Sequence, residues 1–341
     1  MSGFGVQAVD LTVRYGDRVA VDGADFTLAP GRIHGLLGRN GSGKTTLLAV
    51  LAGLRRPDHG KVLVDGEEPF ENARVMAGTG LIRESGDVLA GNCVGRVLEF
   101  AAALRPYWDD AFAARLVARF DLPLGQRVTN LSRGQRSAVG AVLGLAARAP
   151  LTMLDEVYLG MDAPTRYAFY DELLADYIEH PRTIILSSHL IEEIERLFEG
   201  VLVLHEGRVL VNDDADAIRD RGLSLTGPVA EVDAFVARLR AHGLRELGRR
   251  RLGGTEQVSV FGTLDRAARE LARDRGLEIG SVTLQDLFVH LTDSQRPEQS
   301  RPDQNRPDQS RPDQSRPDQS RPDQNRDDAH RTDAHRQESP R

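Results

Sequence analysis

Short apolar runs alternate with stretches of helical period along residues 1–295. Residues 6–13 and 18–28 alternate as strands do, with Gly16-Asp17 between them as a turn. The run at 33–37 is short and mostly apolar and gives way to a glycine-rich loop, after which 44–54 has helical spacing. Pro57-Asp58-His59-Gly60 is a turn that leads into a strand at 61–64. Helical spacing returns at 94–104, 111–120 and 138–149, and a buried strand is expected at 151–154. Asp162 has the character of an N-cap, with Pro164 in the first turn of the helix that follows. Strands at 183–187 and 201–204 complete the series. Apolar strands separated by helices call for an α/β fold, a mostly parallel sheet covered on both faces.

A second pattern occupies about 222–293: strand 224–226, helix 232–241, strands 244–250 and 257–261, helix 264–275, strand 277–282 and helix 284–291. That order suggests a small α+β, ferredoxin-like layer. Beyond it the composition changes. An arginine stands at every fifth position from Arg296 to Arg341, mostly in the unit Arg-Pro-Asp-Gln-Ser/Asn. The repeat carries ten Arg against ten Asp/Glu, with only Ala329 and Ala334 from the hydrophobic set, so it has nothing to bury and is expected to be disordered with polyproline character. The expected division is therefore 1–220, 221–293 and 294–341.

Because the repeat is neutral, the whole net charge of −7 lies in residues 1–295, which argues against nucleic-acid binding by general electrostatics. Cys93 is the single cysteine, which rules out an internal disulfide and fits a reducing compartment. The start, MSGFGVQAVD, lacks a basic n-region and an apolar h-region, so no signal peptide is expected. The most apolar stretch, 138–154, is interrupted by Arg148 and Pro150 and is too short to span a bilayer. Cys93 and Trp108 are expected to pack rather than react, and His34, His59 and His205 lack metal-site spacing.

Two motifs carry chemistry. Gly38-Arg39-Asn40-Gly41-Ser42-Gly43-Lys44-Thr45 follows an apolar strand and opens a helix, the context a phosphate-binding loop requires. Its glycines let backbone N–H groups converge on phosphate oxygens, and the helix dipole favours the same anion. Lys44 is expected to reach the β/γ-phosphates and the Thr45 hydroxyl to hold Mg²⁺, with Thr46 following in the same turn. The second motif, Leu151-Thr152-Met153-Leu154-Asp155-Glu156, ends a buried strand in two acids, which is costly without a nearby cation. A Mg²⁺ held by Asp155 would supply that charge, and Glu156 would then activate water.

With these residues the chain resembles the ATP-binding subunits of ABC transporters, closely over about 5–212 and more loosely to 293. Leu131-Ser132-Arg133-Gly134-Gln135 is similar to the family's signature loop, with Arg133 in place of the commoner glycine. The resemblance implies that Ser132, Gly134 and Gln135 meet the ATP held by the phosphate loop of a second subunit. It implies further that Tyr15 stacks on adenine, that His189 in Leu186-Ser187-Ser188-His189 contacts the γ-phosphate and orients the water, and that Leu159-Gly160-Met161-Asp162 communicates between subunits. Taken alone, Tyr15 also fits a half-buried strand residue, His189 a structural histidine and Asp162 a plain N-cap. Glu84, in Gly80-Leu81-Ile82-Arg83-Glu84, stands where the family usually has the glutamine that touches Mg²⁺, or is a surface acid.

The resemblance implies a P-loop parallel sheet with antiparallel and helical subdomains, and an ATPase that uses ATP and Mg²⁺. It also implies a second ATP-binding subunit, alike or different, and a separate integral-membrane permease on the cytoplasmic face. The single nucleotide unit and C-terminal extension are most similar to bacterial export-type subunits for drugs, antibiotics or lipids. An import ATPase would share every motif. A soluble ABC ATPase without a permease, or a nucleotide-regulated binding module, are the other readings.

Overall fold

The computed structural model describes residues 3–83, 91–240 and 243–293. The first layer is antiparallel. Strands β1 (Val6–Tyr15) and β2 (Arg18–Leu28) form a hairpin, and β4 (His59–Val64) pairs with the other edge of β1. The intervening β3 (Ile33–Leu37) leaves this layer and enters a six-stranded sheet with β5 (Thr79–Arg83), β6 (Leu151–Asp155), β7 (Thr183–Ser188), β8 (Gly200–His205) and β9 (Arg208–Asp214). Its order is β5-β6-β7-β3-β8-β9, parallel except for the edge strand β9.

Consecutive residues of the inner strands serve opposite faces, as a pleated sheet requires. Leu36, Met153, Ile185 and Leu202 pack against the antiparallel layer and helix α1 (Lys44–Leu51). Leu37, Leu154, Leu186 and Val203 pack on the opposite side, in the core that contains the helices of the intervening lobe. That side carries α3 (Val94–Leu104), α4 (Asp110–Arg119), α5 (Arg133–Ala146) and α6 (Ala163–Glu179). Three short helices complete this part: α2 (Ala73–Ala77), α7 (Ile191–Ile194) and α8 (Ala215–Arg221).

Residues 222–281 form a third sheet of β10 (Gly222–Pro228), β11 (Arg245–Leu252), β12 (Thr255–Phe261) and β13 (Glu278–Ser281), in the order β11-β12-β10-β13. Helices α9 (Val229–Arg240) and α10 (Arg266–Asp274) bring Phe235, Val236 and Ala272 into its own core with Leu225, Val258 and Val260. Helix α11 (Leu284–Asp293) packs on β11 and also on α7, so its Leu287 and Phe288 belong to the main core.

Several expectations shift. The helix after the phosphate loop stops at Leu51 rather than 54. The sheet continues past the strand expected at 201–204 into β9, and α2 and α8 add short helices where none was expected. β9 exposes most of its length as an edge strand, so its apolar signal is short. Trp108 lies in the link between α3 and α4, where its indole N–H donates to Asp110 Oδ1 at 2.9 Å, and Cys93 is the N-cap residue of α3. Glu84 and the pentapeptide repeat lie outside the described residues.

Candidate nucleotide site

β3 is buried along its whole length and delivers the loop 38–43 to the carboxyl edge of the sheet, where α1 begins at Lys44. Gly43 occupies the left-handed region at φ 106°, and a Cβ there would lie 2.3 Å from the Ala20 carbonyl oxygen, so only glycine closes this turn against β2. The loop thus aims the N-terminal end of α1 into a cavity of about 620 Å³. Asn40, Gly41 and Gly43 border that cavity, as do Lys44, Thr45 and Thr46. Gly38 and Ser42 underpin the loop: a Cβ on Gly38 would strike Ser42 Oγ, and that buried hydroxyl has no hydrogen-bond partner among the described residues. The Lys44 ammonium donates to the carbonyl oxygen of Gly38 at 2.8 Å and lies 3.3 Å from Glu156 Oε1.

β6 brings the two acids to the opposite wall. Asp155 is buried, and its Oδ2 accepts from Thr45 Oγ1 at 2.7 Å while Oδ1 accepts from Ser187 Oγ. Ser187 was not legible as part of the site, because its place depends on the β6–β7 register that sets it opposite Asp155. Glu156 breaks the strand with a left-handed conformation at φ 53°, which turns its carboxylate toward Lys44. His189 Nδ1 lies 3.2 Å from Glu156 Oε1 but off the line of a hydrogen bond. Arg83, at the end of β5 and immediately before Glu84, also borders the cavity.

Tyr15, at the end of β1, borders the cavity and is half exposed. The Arg55 guanidinium covers a face of its ring at 4.1 Å from the centroid. The oxygen pair Thr45–Asp155 has the hard-donor character that suits Mg²⁺ bound jointly with phosphate. Among the described residues there is no group of three or more His, Cys, Asp or Glu able to hold a metal alone.

The loop 131–135 stands apart from this cavity. Ser132 caps α5: its Oγ accepts from the Gln135 N–H at 3.1 Å, and Gln135 Oε1 accepts from the Ser132 N–H at 3.0 Å. The Gln135 side-chain oxygen is thus engaged in the cap. Gly134 and Gly160 allow the start of α5 to pack directly on the turn after Glu156; a Cβ on Gly134 would lie 2.8 Å from the Gly160 oxygen, and one on Gly160 would lie 2.4 Å from Ser137 Oγ. Ser132, Gly134 and Gln135 are not among the residues that line the cavity of their own chain. Asp162 caps α6, its Oδ1 accepting from the Thr165 N–H at 3.0 Å, and hydrogen bonding from the Thr165 hydroxyl, together with that N–H, holds its carboxyl below its ordinary value. Burial pushes the Tyr158 phenol well above its ordinary value, so it stays a hydrogen-bond donor.

A phosphate loop, a strand-end acid pair and a flanking antiparallel layer define a P-loop ATPase of the cassette type. The ABC transporter family model matches residues 21–158. The daunorubicin resistance ATP-binding protein DrrA3 of Streptomyces coeruleorubidus is 31% identical over 300 residues, covering 83% of this chain and 94% of that protein. The ABC transporter ATP-binding protein YtrB of Bacillus subtilis is 29% identical over 210 residues, 62% of this chain and 72% of its own. A dimeric ATP-binding cassette in a post-hydrolysis state with ADP and Pi superposes with a TM-score of 0.55 at 18% identity, over 62% of this chain and 98% of that one, a likeness of fold. The chain belongs to the ABC transporter ATP-binding family, and it is an ATP-hydrolysing subunit of an ATP-driven transporter. Among the described residues no helix is long and apolar enough to cross a membrane.

Proposed function

We propose that this chain powers an export-type transporter for a drug, antibiotic or lipid, working with a separate permease at the inner face of the membrane. The observation that carries the reading is the convergence of Lys44, Thr45, Asp155 and Glu156 on one cavity, with His189 beside Glu156. Tyr15 takes the adenine ring, and the loop amides with Lys44 take the phosphates. Mg²⁺ held by Thr45 and Asp155 would offset phosphate charge. Glu156 accepts a proton from the attacking water, and His189 orients that water and the γ-phosphate. Ser132 and Gly134 complete the site of a second ATP-binding subunit, alike or different, which fits their position outside the cavity of their own chain. The acidic net charge remains a reason to expect no nucleic-acid partner.

The export direction is supported by the resistance protein that the chain resembles over most of both lengths. A membrane partner is supported by an apolar groove of about 390 Å³ between α2, α3 and α5, bordered by Met76, Phe100 and Leu104, the last 81% exposed. The test is affinity purification from detergent-solubilised membranes of wild type and Leu104→Glu. A multi-spanning protein without its own cassette should co-purify with wild type and be lost in the variant, whose basal ATPase persists. Recovery of no integral partner would favour a soluble ABC ATPase.

A further inference from the structure

The groups expected to act on water sit beyond the ends of their strands, where sheet hydrogen bonding no longer holds them. Asp155 and Ser187 form the last pair between β6 and β7, where Ser187 Oγ ties them together, and β7 ends one residue later at Ser188, paired with Leu37 of β3. Glu156 follows at a left-handed residue, and His189 follows after Ser188. The 3.2 Å approach of His189 Nδ1 to Glu156 Oε1 lacks hydrogen-bond alignment, so Glu156 does not fix the imidazole. Among the described residues no hydrogen bond to Nδ1 fixes the ring, so the course of the backbone that carries it bears on its position.

Tyr158 supplies a tie at this point. The 3-10 turn over Val157–Gly160 folds its side chain back under the strand ends, where it is 1% exposed and its hydroxyl donates to Ser188 Oγ. The same Oγ accepts the Leu190 N–H at 2.8 Å, closing a turn around His189. Ser188 is itself fully buried. Packing fixes the phenol independently of this bond, through an edge-on contact with Tyr170 at a ring separation of 5.8 Å. One hydroxyl therefore links the segment after Glu156 to the segment that carries His189. We propose that Tyr158 is a positioning residue, which sets His189 relative to Glu156 through Ser188.

This rests on the catalytic reading of Glu156 and His189 above, and the experiment separates the two. Steady-state ATPase kinetics, nucleotide affinity and thermal midpoint are measured for Tyr158→Phe, Ser188→Ala, His189→Ala and the double variant Tyr158→Phe/His189→Ala, with Glu156→Gln as reference. Tyr158→Phe keeps the ring and loses only the donor. Its kcat should fall by roughly 10- to 100-fold, up to the scale on which a misplaced catalytic group costs rate, with ATP KM and affinity within about twofold of wild type. Ser188→Ala should match it. In the His189→Ala background Tyr158→Phe should add no further loss, because a group acting through His189 cannot act without it. Wild-type kcat in Tyr158→Phe, or equal losses with and without His189, would overturn the proposal while Glu156→Gln and His189→Ala stay impaired. Wild-type turnover in Glu156→Gln and His189→Ala would instead overturn the catalytic reading beneath it.

Discussion

Lys44 Nζ and Glu156 Oε1 lie 3.3 Å apart, with side chains only 7% and 14% exposed. The contact holds the carboxylate over the loop where phosphate would bind, so the lysine must be shared when nucleotide enters. Replacing Glu156 by Gln keeps the size of the side chain and removes its capacity to take a proton. Glu156→Gln is expected to bind ATP but to turn over about 10²–10⁴-fold more slowly, the usual contribution of a general base. It should also accumulate as an ATP-bound dimer. Nucleotide titration, ATPase rate and size-exclusion chromatography check this, and wild-type turnover would remove Glu156 from the mechanism.

Gly134 and Gly160 bring the start of α5 against the turn after Glu156. A methyl group at Gly160 would meet both Ser137 Oγ and the Arg133 carbonyl oxygen, at 2.4 and 2.9 Å, and backbone cannot yield as a flexible side chain can. Gly160→Ala is expected to lose about 1–3 kcal/mol by overpacking. ATPase should fall more than nucleotide affinity, because Glu156 stands at the head of the same turn. Chemical denaturation and steady-state kinetics check the two effects.

Much of this was legible in the sequence because the motifs sit where strand becomes helix. Gly38–Thr45 and Asp155-Glu156 follow short, mostly apolar runs, and those runs form β3 and β6. The capping chemistry of Asp162 could also be read directly, since an N-cap needs only its own first turn. What could not be read depended on register or on distant neighbours. Ser187 reaches Asp155 because β7 happens to lie beside β6, and Tyr158 reaches Ser188 for the same reason. Edge strand β9 escaped notice because half-exposed strands carry little apolar signal. The groups expected to act could be named from motif and family resemblance; Ser187 and Tyr158, which bond beside them, could not.

Asp176 is fully buried near the end of α6 and holds two arginines at once. Its Oδ2 accepts from Arg182 Nη1 at 2.6 Å, and its Oδ1 from Arg148 Nη2 at 2.9 Å, while Arg148 also reaches Asp109, the N-cap of α4. The acid therefore joins α6, the approach to β7 and the helical lobe. Burial lowers the affinity of Arg182 for its proton, and Asp176 opposes that effect. Asp176→Ala would leave a buried guanidinium uncompensated, and is expected to cost about 3–5 kcal/mol. Urea unfolding should detect the loss, and an unchanged midpoint would show that water or another acid compensates.

His34 provides the pH dependence. It lies in the buried strand β3, with Nε2 2.8 Å from the Ala29 carbonyl oxygen and its ring edge against Gly200. Burial lowers its affinity for a proton, and nearby Arg32 acts in the same direction. The folded chain thus keeps His34 neutral at a pH where the unfolded chain has begun to protonate it. The unfolded state then binds more protons, so stability must fall as pH falls. The loss should begin below about pH 6.5, the ordinary imidazole value, at up to roughly 1.4 kcal/mol per pH unit until the folded pKa is passed. Above that window His34 should contribute no pH dependence. Unfolding of wild type and His34→Gln compared between pH 5 and 8 isolates the effect: the difference in stability should change below about pH 6.5 and stay constant above it. A constant difference across the whole range would show that His34 ionises equally in both states.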